Sequence, residues 1–224
     1  MTHFGDGLRV GKVAQRPYPQ FGAAVSPVYV YDVAPVALDA DGIAAAQAVG
    51  SATNLTLNGA LASSGSVTFD VPRAVQIASS NAGDTTQTAT FTGTDAYGIP
   101  LVETLTFNGT TGVSGAKAFK TVTQVAISAA LTGNATAGST DIIGLPYRVD
   151  SRNYALTAHN GAFVTTGTLT AAVTTSPATA TTGDVRGTYL VPSASDGTKR
   201  LTVWIFVKDA DTKAGLYGVD QYGG

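Results

Sequence analysis

The chain has 224 residues, a formal net charge of −2 and only 12% charged residues, with no cysteine. Its wealth of Thr, Ala and Gly and its poverty in Glu, Lys, Gln and Leu exclude a helical bundle, while 44% hydrophobic content excludes a disordered chain. The apolar runs fall short of the roughly 20 residues a membrane-spanning helix needs, and no basic surplus exists to bind nucleic acid or an anionic membrane. Without thiols, disulfides and thiolate metal sites are excluded together. The start of the chain lacks a basic stretch followed by an apolar one, so synthesis and folding in a cytoplasm are expected.

Residues 1–40 place prolines through a β-prone stretch, in Arg16-Pro17-Tyr18-Pro19-Gln20-Phe21 and again from Ser26-Pro27 to Ala34-Pro35. Proline cannot donate to a central ladder, so this region is expected to be an extended arm or an edge strand, able to wrap its own domain or lie on a neighbour. From about residue 41 to 150, short strands between turn signals predict an antiparallel β-sandwich or jelly-roll-like domain. Thr86–Thr92 and Leu101–Phe107 flank the turn Asp95-Ala96-Tyr97-Gly98 and predict a hairpin. Glu103, the sole glutamate, shares a face with Leu101, Leu105 and Phe107, as a residue at a sheet margin would.

An internal repeat appears at an offset of fifty residues, about 55–77 and 105–127. Leu55-Thr56-Leu57-Asn58-Gly59 matches Leu105-Thr106-Phe107-Asn108-Gly109, Phe69 matches Phe119, and Val75 and Ile77 match Val125 and Ile127. Each copy reads as strand, Asn-Gly turn, strand, and two such units packed face to face would cover each other's apolar sides. Residues 151–224 form a second β region with a flexible or partner-ordered tail. Within it Leu201-Thr202-Val203-Trp204-Ile205-Phe206-Val207 is apolar on both faces, which demands cover on two sides from the core or from an oligomer interface.

No catalytic constellation, cofactor motif or metal-ligand spacing emerges. His159 falls in a Gly/Asn turn without a nucleophile elbow, and Asp39 with Asp41 or Asp209 with Asp211 read as turn caps. The glycines serve turns, since no phosphate-cradling loop is present.

The stretch from Ala89 through Asn108-Gly109, followed by Lys117-Ala118-Phe119-Lys120-Thr121-Val122-Thr123-Gln124-Val125, resembles small β-proteins of tailed-bacteriophage structural modules, often head decoration or cement proteins. The resemblance covers residues 50–150 and rests on pattern. It implies a non-enzymatic virion protein without cofactors, assembled in the host cytoplasm. Such a protein commonly binds the outer surface of the major capsid protein as a homotrimer and stabilises neighbouring capsomers. On this reading the contact residues are Tyr18, Phe21, Tyr29, Tyr31 and Trp204, and removal of residues 2–35 should abolish particle binding while leaving a folded domain. Alternatives are a tail-tube, baseplate or head-fibre protein, or a carbohydrate-binding β-sandwich, which would need a cluster of exposed aromatics.

Overall fold

A computed structural model describes residues 2–3, 8–12, 25–149, 154–164, 167–173 and 181–206. Every regular element among them is a strand: β1 (Thr2–His3), β2 (Leu8–Lys12), β3 (Val25–Val33), β4 (Ala44–Ala48), β5 (Thr53–Asn54), β6 (Ala62–Ser63), β7 (Ser66–Ser79), β8 (Thr88–Thr94) and β9 (Pro100–Thr106). Then follow β10 (Val113–Ser114), β11 (Phe119–Ile127), β12 (Asn134–Gly144), β13 (Tyr154–His159), β14 (Ala162–Phe163), β15 (Thr168–Thr170), β16 (Thr188–Leu190) and β17 (Leu201–Phe206). All pairings are antiparallel, so the chain is all-β and sandwich-like, as the composition requires.

The larger sheet runs β15-β16-β12-β7-β11-β8-β9, with β4, β5, β6 and β10 added along its length. The hairpin expected between residues 86 and 107 is β8–β9, in register from Thr88 opposite Thr106 to Thr94 opposite Pro100. Its turn is held by Asp95, whose Oδ1 accepts from the Tyr97 and Ile99 amides at 2.8 and 3.0 Å, while Gly98 supplies the left-handed φ of 79°. The inward residues of this sheet, among them Phe91, Leu101, Phe119, Val122 and Val125, close a first core.

The repeat is only half structural. Phe69, Val75 and Ile77 on β7 and their counterparts Phe119, Val125 and Ile127 on β11 all enter that core, but β7 and β11 pair edge to edge in one sheet rather than packing face to face. The Asn-Gly expectation holds for Gly109, with φ of 61°, and not for Gly59, which is absent from the left-handed region. Residue type repeats here because both strands bury one face; the turns differ because their surroundings do.

The smaller sheet, β1-β2-β3-β17-β13-β14, joins the beginning of the chain to its end. Strand β3 is interior, flanked by β2 and β17, so residues 25–33 are neither a detached arm nor an edge. Pro27 stands inside the β2–β3 ladder, opposite Val10, and Pro35 falls beyond the end of β3. The sheet's inner face, Leu201, Val203 and Ile205 with Tyr29, Tyr31 and Val33, packs on Ile143, Leu145, Val149, Tyr189 and Val191 in a second core. Sheet pairing thus crosses the expected divisions at 40 and 150, since β16 also pairs with β12.

Candidate docking surface

The alternation that buries Leu201, Val203 and Ile205 turns Thr202, Trp204 and Phe206 to the other face of β17. The register sets Trp204 between Val30 of β3 and Leu156 of β13, so one row across three strands is entirely apolar. Phe163 of β14 is 75% exposed and leans over Trp204, ring centroids 5.5 Å apart; Leu156 is 48% exposed. Beside this row Asp32 receives Arg200 in a two-point ion pair, Nε to Oδ1 at 3.1 Å and Nη2 to Oδ2 at 2.7 Å, and also accepts from Thr202 Oγ1. The surface therefore combines an aromatic and aliphatic centre with a polar margin of both charge signs. That is the anatomy of a protein contact. Three strands about 4.8 Å apart and about six residues long, with the two-residue β14 at their edge, cover roughly 300 Å², less than the ~800 Å² per partner of a stable pairwise interface.

The five residues expected to make contacts separate here. Tyr18 and Phe21 lie outside the described residues. Tyr29 and Tyr31 point inward: Tyr29 stacks on Tyr147 with centroids 4.1 Å apart, and the Tyr31 hydroxyl is buried without a hydrogen-bond partner. Burial first, and the nearby Asp70 charge second, hold that phenol protonated well above its ordinary range. Trp204 alone stands on the outward face, half-buried rather than in the core. Removing residues 2–35 would strip β3 from an interior position and leave β17 paired on its β13 side alone, so that deletion tests folding rather than docking. The sequence signal for the surface was present in the two-sided apolarity of 201–207; which side faces outward could not be read from it.

A second feature is a buried polar belt. Glu103, expected at a sheet margin, is 3% exposed; its Oε1 accepts from the Ala116 and Lys117 amides at 2.6 and 3.1 Å, while Oε2 has no partner. Lys117 is fully buried and its Nζ makes no hydrogen bond. Asp184 fixes the next amide, Ala118 N to Oδ2 at 3.1 Å, and Arg186 reaches Asp95 at 2.7 Å with its guanidinium 5.0 Å over the Tyr97 ring. Burial, the dominant influence, raises the Glu103 carboxyl to about 7 against the opposing pull of the two amides and Lys117, and burial likewise lowers Lys117. The carboxylates serve the backbone of loops 115–118 and 184–186, which reads as a structural clasp. His159 stands half-buried at the end of β13, and Asp39 caps its own turn through the Asp41 amide. Among the described residues no group of three metal-ligating side chains converges.

No protein-family model, curated protein or solved structure matches the chain at significance.

Proposed function

We propose that this chain is a non-enzymatic structural protein of a tailed-bacteriophage virion, a head decoration protein that holds neighbouring capsomers together from the outer surface of the capsid. The observation that carries the reading is the outward apolar row Val30–Trp204–Leu156 with Phe163 over it, on a sheet whose other face is already packed. A patch of this size is too small for tight pairwise binding, and it gains strength when several copies engage one lattice together, as a homotrimer on the major capsid protein would. The low charge of the chain fits attachment by buried area rather than by long-range attraction.

The test is co-sedimentation with undecorated heads, paired with the solution mass by light scattering. The expected result is a trimer that binds heads and loses binding in the double variant Leu156→Asp, Phe163→Asp while keeping its thermal unfolding. A ring or tube that ignores heads would move the protein to the tail, and unaltered binding by the double variant would remove this face from the reading. A second reading has one observation in its favour: the half-buried Trp204 and the exposed Phe163 form an outward aromatic pair of the kind that stacks on sugar rings. Glycan-array binding lost on Trp204→Ala, with no affinity for heads, would establish it instead.

A further inference from the structure

Three Asn-Gly pairs occur in the chain, Asn58-Gly59, Asn108-Gly109 and Asn160-Gly161. In this dipeptide the glycine nitrogen, unhindered by a Cβ on its own residue, can attack the asparagine Cγ. The new N–Cγ bond closes a five-membered imide as the carboxamide nitrogen leaves as ammonia with the proton lost from the attacking amide. Water then opens the ring at Cγ to give aspartate, or at the backbone carbonyl to give isoaspartate, in which the main chain runs through the side-chain methylene. The reaction needs a glycine nitrogen free of hydrogen bonds, an unheld carboxamide, and room for the chain to rotate.

The fold denies these conditions to two of the three pairs. Gly59 donates its N–H to Ile43 O at 3.1 Å and lies against the Gly42 backbone, while Asn58 Oδ1 is engaged by the Ala45 amide at 3.0 Å. Gly109 donates to Asp84 O at 2.8 Å and lies against Ala82, so closely that a Cβ would come within 2.7 Å of the Ala82 carbonyl oxygen. Asn160-Gly161 is the exposed two-residue turn between β13 and β14, with left-handed φ values of 51° and 81°. Among the described residues its carboxamide and the Gly161 N–H form no hydrogen bond, and nothing lies within 4 Å of a Cβ built on Gly161. We propose that Asn160 is a site of spontaneous deamidation and isoaspartate formation in the folded protein, and that Asn58 and Asn108 are protected by their backbone hydrogen bonds.

The site lies where the modification has structural leverage. The Asn160 N–H donates to Arg200 O at 2.7 Å, and the turn sets the register that pairs Phe163 with Ala158 and brings its ring onto Trp204. Isoaspartate adds one backbone carbon and a negative charge at this tight turn, which lengthens the connection and frees Phe163 from its partner. Trp204 is the only tryptophan, so tryptophan fluorescence reports the surroundings of this one ring, Phe163 among them. Any consequence for binding rests on the docking reading above; the chemistry does not.

The experiment is peptide mapping by mass spectrometry of the full chain held in warm, mildly alkaline buffer, with a parallel sample in urea. In the folded sample a gain of about 1 Da is expected at Asn160, at a rate about tenfold or more above Asn58 and Asn108, and in urea the three rates should converge. Equal rates in the folded protein would overturn the proposal, as would an Asn160 that stays fastest in urea, which would assign the selectivity to sequence. Red-shifted Trp204 emission should accompany conversion and be absent in Asn160→Ser under the same incubation. Conversion with unchanged emission would refute the link to Phe163.

Discussion

Replacing Glu103 by glutamine isolates the buried carboxyl that clasps the 115–118 loop. Glutamine keeps an oxygen for the Ala116 and Lys117 amides, and its NH₂ takes the place of Oε2, which has no partner to lose. The carboxyl rises from 4.5 to about 7 on folding, so the native state binds its proton more tightly than the unfolded chain does. The contribution to stability is therefore complete below the unfolded value and lost as pH climbs from about 4.5 to about 7. At 1.36 kcal/mol per pH unit, the loss is about 3 kcal/mol, or roughly 6–12 °C in Tm for a chain of this length. Urea titrations of both proteins at closely spaced pH values read it directly. The wild type should weaken across that interval, and Glu103→Gln should run flat through it and be the more stable of the two above pH 7. Parallel profiles would refute the argument, because they would mean that burial does not perturb this carboxyl.

Asp84 titrates in the opposite sense. Its oxygens accept from Ser79 Oγ and from the Thr132 and Gly133 amides, and these bonds hold its pKa below the ordinary carboxylate range. Stability from this residue is present above that range and lost on acidification, so Asp84→Ala should shrink the acid-side slope of the same profile and lower stability at neutral pH. Lys117→Met replaces a fully buried amine that has no hydrogen-bond partner with an apolar chain of similar length; chemical denaturation should show equal or greater stability at pH 7, and a large loss would mean that the ammonium is paired in solution. At Gly93, opposite Val122 beside a register shift in β11, an added Cβ would fall within van der Waals overlap of the Thr121 carbonyl oxygen. Gly93→Ala should cost roughly 2–3 kcal/mol by overpacking, and a neutral result in thermal melts would show that the β8–β11 pair can separate locally.

What the sequence by itself determined was local: an all-β chain, the 88–106 hairpin around Asp95 and Gly98, and the strand at 201–206. Each of these depends on side-chain alternation or on turn chemistry within a few residues. Tertiary structure decided what long-range pairing alone can decide. Proline in β3 predicted exclusion from a sheet interior, yet β3 is paired on both sides, with β2 through Pro27 itself and with β17 in a register set by strands more than 160 residues apart. The same register sent Tyr29 and Tyr31 inward and Trp204 outward, although all three carry similar apolar bulk and no local rule separates the two faces of a strand apolar on both. Glu103 obeyed its alternation and so went into the interior with Leu101 and Leu105. It is tolerated there because two backbone amides from a loop 13 and 14 residues later meet its carboxyl, a partnership that exists only once the sheet has closed.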